Sequence, residues 1–251
     1  MDTAALRNAL ALVGTLTIGA LTVTGCGTTG EATVQTAPAS PGTAADTAAP
    51  DAAAEPAHVA RLTAAVDVFD APAGVVVRTL DAATGFGSQT VLLVTDADRT
   101  GWLEVMLPGR PNGALGWIRS DAAEVREVAL EVQIDLAARE LSLLDAGTVV
   151  WTTPTAIGDP EHPTPTGSFY VTDKLDTGDP NGAYGPYALG LSARSDVLTE
   201  FAGGDGQIGI HGTNVPDSIG QAVSHGCPRI DNALVAELAA LLPLGTPVTI
   251  S

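Results

Sequence analysis

The sequence predicts a mainly β chain, in which a small barrel of short strands precedes a larger β-rich domain with one or two helices. Two observations carry this. Short runs rich in Val, Ile, Leu and Thr recur from about residue 66 onward, separated by clusters of Gly, Pro, Asn and Asp. Only one stretch, Asn232 to Leu242, carries a clear helical apolar period. At 251 residues the chain is long enough for one or two domains with proper cores. Its Ala, Thr and Pro bias sits largely in the first sixty residues, and the rest reads as globular.

The first segment reads as a targeting signal. Arg7 precedes an apolar stretch, Ala9 to Val23, that ends in Val23-Thr24-Gly25-Cys26. A basic start, a short apolar middle and a small-residue end make a secretory signal. The stretch holds Thr15, Thr17 and Thr22 and is shorter than the ~20 apolar residues of a spanning helix. Val-Thr-Gly-Cys resembles a bacterial lipoprotein signal, in which cleavage precedes the cysteine and its thiol is lipidated; an ordinary cleaved signal with a chance cysteine is the alternative. On the lipoprotein reading residues 1–26 are the signal, and lipidated Cys26 anchors the mature chain to the outer face of the cytoplasmic membrane, in the cell-wall space. Residues 27–58 are Ala, Thr, Pro and Gly with scattered acids, and have no apolar period. Such a stretch cannot bury enough surface to offset its ordering entropy, so it is expected to be a disordered tether.

Residues 59–127 change character. Val66-Asp67-Val68-Phe69-Asp70 alternates in period two, and Ala71-Pro72-Ala73-Gly74 reads as a turn. Val75–Val77, Val91–Val94, Trp102–Val105 and Gly116–Ile118 are further β runs, with a turn cluster at Pro108–Gly113. Five short strands with Gly-Trp near the last two suggest a small barrel. Through Gly101-Trp102-Leu103-Glu104-Val105 and Gly116-Trp117-Ile118 the stretch resembles the bacterial SH3-like domains, which often accompany cell-wall enzymes. It is expected either to bind the wall or only to position the domain that follows.

Residues 128–251 form the second predicted domain. Strands are expected at Val128–Ile134, Leu141–Leu144, Thr148–Trp151, Ser168–Thr172, Gln207–Ile210 and Pro247–Ile250. In the helix, Leu234, Leu238, Leu241 and Leu242 recur at three- and four-residue spacing; Asp231 is a good N-cap, and Pro243 with Gly245 ends it.

The net charge of −18 is uneven: residues 128–251 carry fifteen acids against four bases. There is no basic stripe, which argues against nucleic acid as a partner and against charge-driven binding to anionic lipid.

Chemistry concentrates in two short motifs, His211-Gly212-Thr213-Asn214 and Ser224-His225-Gly226-Cys227-Pro228-Arg229. Cys227 is the only cysteine outside the signal, and an unpaired thiol in an exported protein points to reactivity. A cysteine attacks carbonyl carbon as a thiolate and needs a base or a cation beside it. His225, two residues away, would sit roughly 6.6 Å along an extended chain. His211, ending a neighbouring strand, could face the sulfur at about the 4.8 Å strand spacing. His211 is therefore favoured as the base and His225 is the alternative; local geometry alone does not settle it. Pro228 pushes Cys227 toward extended geometry and has no N–H, so oxyanion donors would come from the backbone of Cys227, Gly226 and His225. Gly212 has no side chain, so a backbone carbonyl is expected to orient the imidazole of His211. Arg229 suits a substrate carboxylate, or alternatively an ion pair with Asp231. Ser224 and Asn214 can hydrogen-bond within the loops, and Asn214 joins Arg229 as a candidate substrate-binding residue. His58 and His162 are expected at the surface.

His-Gly-Thr-Asn, a spacer, then Ser-His-Gly-Cys-x-Arg resembles the L,D-transpeptidases with a YkuD-type catalytic domain, as does Thr164-Pro165-Thr166-Gly167 before an aromatic strand. The resemblance spans about residues 128–251. It implies a β-rich catalytic domain following the SH3-like barrel, with Cys227 as nucleophile, His211 as base, Gly212 as carbonyl orienter, and His225, Gly226 and Cys227 framing the oxyanion site. It implies peptidoglycan stem peptides as both donor and acceptor. Cys227 attacks the carbonyl of the third stem residue, D-alanine leaves, and a second stem resolves the thioester into a 3→3 cross-link. It also implies carbapenem-type β-lactams as covalent inhibitors, and no cofactor. The chain departs from the family at Pro228, where an aliphatic residue is usual, and at Ile230, often Met or Leu.

Three rivals accompany this reading. A zinc site of His211, His225 and Cys227 has acceptable ligands but matches no closed zinc spacing. An L,D-carboxypeptidase would use the same thiol with water as acceptor. A wall-binding lipoprotein would make no use of the intact Cys, His and Gly set.

Overall fold

The computed structural model describes residues 55–97, 100–201 and 203–251, and these belong to one compact unit. The signal, Cys26 and nearly all of the tether lie outside the described residues. Among the described residues no helix is long and apolar enough to cross a membrane.

Seven strands build the first sheet: β1 (Ala57–Leu62), β2 (Val66–Phe69), β3 (Val76–Leu80), β4 (Val91–Ala97), β5 (Trp102–Met106), β6 (Leu115–Arg119) and β7 (Ala123–Val128). They pair antiparallel in the order β3-β2-β6-β5-β4-β1-β7. Alternation sends Val66 and Val68 inward while Asp67 stays exposed, as a half-buried strand requires. The two outer additions, β1 and β7, carry Arg61, Glu124 and Arg126 in surface ion pairs and lack the apolar run that marks the other strands.

The second region holds β8 (Leu130–Asp135), β9 (Glu140–Asp145), β10 (Thr148–Pro154), β11 (Ile157–Gly158), β12 (Gly167–Asp176), β13 (Tyr187–Arg194), β14 (Gln207–His211), β15 (Ala222–Ser224), α1 (Asn232–Leu241) and β16 (Pro247–Ile250). Its main sheet runs β10-β9-β8-β16-β12-β13-β14, with β16 and β8 parallel; β11 and β15 form a separate parallel pair. The chain is mainly β with one α-helix, as expected. The single strand expected over Val128–Ile134 is divided, however. Val128 ends β7 in the first sheet, and Leu130 begins β8 in the second.

Helix α1 starts where Asp231 accepts a hydrogen bond from the Ala233 N–H at 2.8 Å. Its buried residues are Val235 and Leu238, followed by the buried C-cap Leu242, whereas Leu241, expected on the apolar stripe, is 48% exposed. Spacings of three and four residues allow either set; packing over β13 and β14 chose the one containing Val235.

The two sheets interlock. Tyr170 leaves β12 to enter the core of the first sheet, fully buried, and its hydroxyl donates to the Met106 carbonyl at 3.1 Å. Beneath the site, Leu189, Leu191, Ile208, Ile210, Ile230 and Leu238 form part of one buried cluster. That cluster fixes β14 and the segment after Cys227 against each other.

Candidate active site

Strand β14 ends at His211, and the chain after Cys227 runs beside it. The His211 N–H donates to the Pro228 carbonyl at 3.2 Å, and the Ile230 N–H donates to the His211 carbonyl at 3.0 Å. Arg229 is held on its other side by reciprocal backbone bonds with Ala156, at 2.8 and 3.0 Å. Cys227 therefore sits in a non-helical loop pinned on both flanks, as Pro228 led us to expect.

Cys227, His211, His225 and Arg229 all line one cleft of about 230 Å³. His211 is buried, and its Nδ1 lies 2.6 Å from the Gly212 carbonyl oxygen. A carbonyl can only accept, so Nδ1 carries the proton and Nε2 is left with a free lone pair. Burial pushes His211 down to about 4; the Gly212 carbonyl works against this shift, and the Arg229 charge adds to it. Burial pushes the Cys227 thiol up, opposed by the Gly209 backbone and by the Arg229 charge. At neutral pH both groups rest uncharged. Two neutral groups in one cleft suit general-base catalysis, in which the base takes the thiol proton as the sulfur attacks, rather than a standing thiolate–imidazolium pair.

Gly226 has φ +112°, a conformation that side chains rarely adopt, and an added Cβ would lie 3.1 Å from Ile208. Its carbonyl accepts from Thr164 Oγ1 at 2.8 Å, and the same hydroxyl accepts from the Gly158 N–H. Its N–H, expected among the oxyanion donors, donates instead to the fully buried Ser224 hydroxyl at 3.1 Å. The Cys227 N–H has no internal acceptor among the described residues, which leaves a donor available beside the thiol. Gly226→Ala is expected to lower stability by about 1–3 kcal/mol through backbone strain. A urea titration of both proteins measures this, and an unchanged midpoint would contradict the strained turn.

The two histidines have different surroundings. His225 is exposed, stacked on Phe201 with ring centroids 5.4 Å apart, and 5.0 Å from His162. His162, expected at the surface, is partly buried, with Nδ1 3.1 Å from Asp159. The buried, carbonyl-oriented ring is His211, and Tyr184 covers it at 4.7 Å.

Arg229 makes no ion pair among the described residues, and its buried Nε has no partner. The alternative partner, Asp231, is occupied by the helix cap. A guanidinium lining a cleft with an unmet donor suits an incoming carboxylate. Asn214 is not brought to this cleft. It is exposed in a neighbouring depression with Pro180, Thr213 and Asn232. Among the described residues no three His, Cys, Asp or Glu side chains are placed to share a metal ion.

Residues 130–250 match the family described as the L,D-transpeptidase catalytic domain, YkuD. YkuD of Bacillus subtilis (strain 168) is 39% identical over 124 residues, spanning 49% of this chain and 67% of that protein. The chain belongs to the L,D-transpeptidase family. The YkuD protein of Bacillus licheniformis is 37% identical over the same shares. Among solved structures, the transpeptidase LdtMt1 in complex with imipenem is 19% identical, covering 65% of this chain and 91% of that one, with a TM-score of 0.43. An L,D-transpeptidase from Mycobacterium smegmatis is also 19% identical, covering 64% and 82%, with a TM-score of 0.40.

Several residues in and around the cleft escape sequence reasoning. Asn232 accepts from the Thr213 N–H at 2.8 Å and donates to the Pro180 carbonyl at 3.3 Å, tying two loops to the start of α1. Neither Gly212 nor Gly185 could carry a Cβ against it. Thr164 lies inside a motif the sequence singles out, although its contact with the Gly226 carbonyl is visible only in three dimensions. Tyr184 and Phe201 come from connections without apolar period, and nothing local marks them.

Proposed function

We propose that this chain is an L,D-transpeptidase that forms 3→3 peptidoglycan cross-links through a thioester on Cys227. The observation that supports it best is the His211 ring, fixed by the Gly212 carbonyl with Nε2 free, in the same cleft as the lone thiol and the unpaired Arg229. In the forward step Cys227 Sγ bonds to the carbonyl carbon of the third residue of a tetrapeptide stem while His211 Nε2 takes the thiol proton. The tetrahedral oxyanion faces the Cys227 N–H. On its collapse the C–N bond to D-alanine breaks, and His211 returns the proton to the leaving amine. The side-chain amine of a second stem then attacks the thioester, gives a proton to His211, and releases the cross-link and the thiol. Arg229 is assigned to a stem carboxylate and the Asn214 depression to an outer part of the stem. A carbapenem would be opened by the same thiol, leaving an acyl-enzyme.

The SH3-like barrel is proposed as a wall-facing module on residues 59–127, distinct from the catalytic domain of 128–251. The Arg7-to-Cys26 pattern supports export and a lipid anchor on Cys26, which would place the site in the cell-wall space where stems are found.

The test is intact-protein mass spectrometry after incubation with a disaccharide tetrapeptide. Expected are an adduct of the stem less D-alanine on Cys227 and a 3→3 dimer in solution. Tripeptide without dimer would replace the proposal with an L,D-carboxypeptidase. No adduct with either the stem or a carbapenem would remove the thiol mechanism.

A further inference from the structure

The turn between β5 and β6, Pro108–Gly113, belongs to the first sheet but reaches the wall of the thiol cleft. The Arg110 guanidinium donates to three backbone carbonyls of the β13–β14 connection: Asp205 at 2.6 Å, Ser195 at 2.7 Å and Leu198 at 3.0 Å. Two residues on, the Asn112 amide pairs with Arg194 in both directions, donating to its carbonyl and accepting from its N–H, each at 2.8 Å. The Gly109 N–H donates to the Ser192 carbonyl at 3.2 Å.

The connection held in this way carries four residues that line the cleft with Cys227: Ser195, Leu198, Phe201 and Gly206. Phe201 stacks on His225 beside the thiol. The close approach is built in at Gly206, with φ +74°, where an added Cβ would collide with the Leu198 carbonyl and come within 3.2 Å of Arg110. The connection contributes no ladder to the main sheet, so its carbonyls depend on such partners. Arg110 is a planar fork whose two terminal nitrogens share these carbonyls, one bonding Asp205 and the other Ser195 and Leu198, whereas an ammonium would have to meet all three from one nitrogen.

We infer that Arg110 is a positioning residue for acyl transfer: from the first sheet it holds the wall of the thiol cleft formed by Ser195, Leu198, Phe201 and Gly206 in the shape that seats the donor stem. This rests on the transpeptidase reading above. The thiol and base are fixed separately, by β14 and the segment 228–230. Loss of Arg110 should therefore weaken stem capture and leave the intrinsic chemistry of the thiol in place. The first sheet then supplies part of the active site and is more than a carrier for it.

The experiment compares folded wild type, Arg110→Ala and Arg110→Lys proteins, each spanning the whole compact unit of both sheets, with three readouts. These are acylation by the tetrapeptide across concentration, alkylation of Cys227 by iodoacetamide, and amide hydrogen exchange. For Arg110→Ala we expect KM to rise about ten-fold or more with a smaller change in kcat, because misplaced binding walls cost orders of magnitude. Exchange in peptides covering 195–201 should speed up about ten-fold with β12 and β16 unchanged, since local opening tracks lost backbone partners. Alkylation should stay within about two-fold of wild type, because the backbone bonds that hold the segment around the thiol and its base do not involve Arg110. Arg110→Lys, which keeps the charge and one contact, should fall between the two. A folded Arg110→Ala protein with wild-type KM and wild-type exchange overturns the inference. If that variant does not fold, Arg110→Lys with unchanged exchange in 195–201 overturns it equally. Wild type that is never acylated by the stem would remove the proposed function, and the exchange arm would still uphold or overturn the hold of Arg110 on the wall.

Discussion

Cys227→Ala protein is expected to lose acyl transfer by more than about 10³-fold and to keep its fold, because removing a covalent nucleophile leaves only binding and polar stabilisation. The sulfur bridges to nothing. The loop around it is held by the Ser224 hydroxyl, the Thr164 hydroxyl and backbone bonds at Ala156 and His211, none of which uses the thiol. Deleting one sulfur from a half-buried position should shift stability by no more than about 1 kcal/mol. The wild-type thiol also has a signature of its own. Burial raises Cys227, so its alkylation by iodoacetamide should keep increasing through the alkaline range where ordinary thiols level off. Mass spectrometry for adduct and product, with a thermal melt of both proteins, measures the first part. Retained product formation in a folded Cys227→Ala protein would remove the thioester step. An alkylation rate that levels off near pH 5 would show a standing thiolate and contradict the neutral resting pair.

How much of this was legible beforehand depended on whether the information was local. The α1 boundaries follow from Asp231 as cap and from Pro243, and the structure ends the helix one residue earlier than expected. Strands with alternating or β-branched runs, such as Val66–Phe69 and Pro247–Ile250, were readable. Strands β1 and β7 were not: β7, at the sheet border, carries charges where an inner strand carries Val or Ile, and β1 beside it interrupts its buried residues with His58 and Arg61. Strand β13, Tyr187–Arg194, contains Gly190 and Ser192 and reads locally as a loop; burial between β12 and β14 makes it a strand.

The site divides in the same way. Cys227, His211 and the Gly212 carbonyl were inferred from residue type and spacing, and His211 with Gly212 takes up the geometry that inference required. The Gly226 N–H was misassigned because Ser224, two residues before it, turns inward to accept it; that depends on the β11–β15 pairing, which no local pattern encodes. Phe201 and Tyr184 line the cleft, and Arg110 and Asn232 brace loops near it, only through contacts between segments distant in sequence.

Replacing His211 with Gln should slow stem acylation by about 10²–10⁴-fold, the usual worth of a positioned general base. The same variant should respond differently to acid, and that response separates a buried neutral imidazole from a surface one. In the folded protein His211 titrates at about 4, while in the unfolded chain it returns to its ordinary value of 6.5. Between those two pH values the unfolded chain binds the extra proton, so stability falls as pH drops through this window. For wild type the loss approaches about 3 kcal/mol at the acid end. His211→Gln lacks this contribution, whereas every other ionisable group is common to both proteins and cancels in the comparison. Urea unfolding of both proteins at pH 7 and pH 4.5 should therefore show a smaller acid loss in the variant. Equal losses would mean that His211 is not held neutral by burial. The rate profile supplies a second check on the same group. Because neutral imidazole persists in the folded protein well below the ordinary histidine range, wild-type acylation should survive toward pH 5, and a fall centred near 6.5 would show that the working base is not the buried His211 ring.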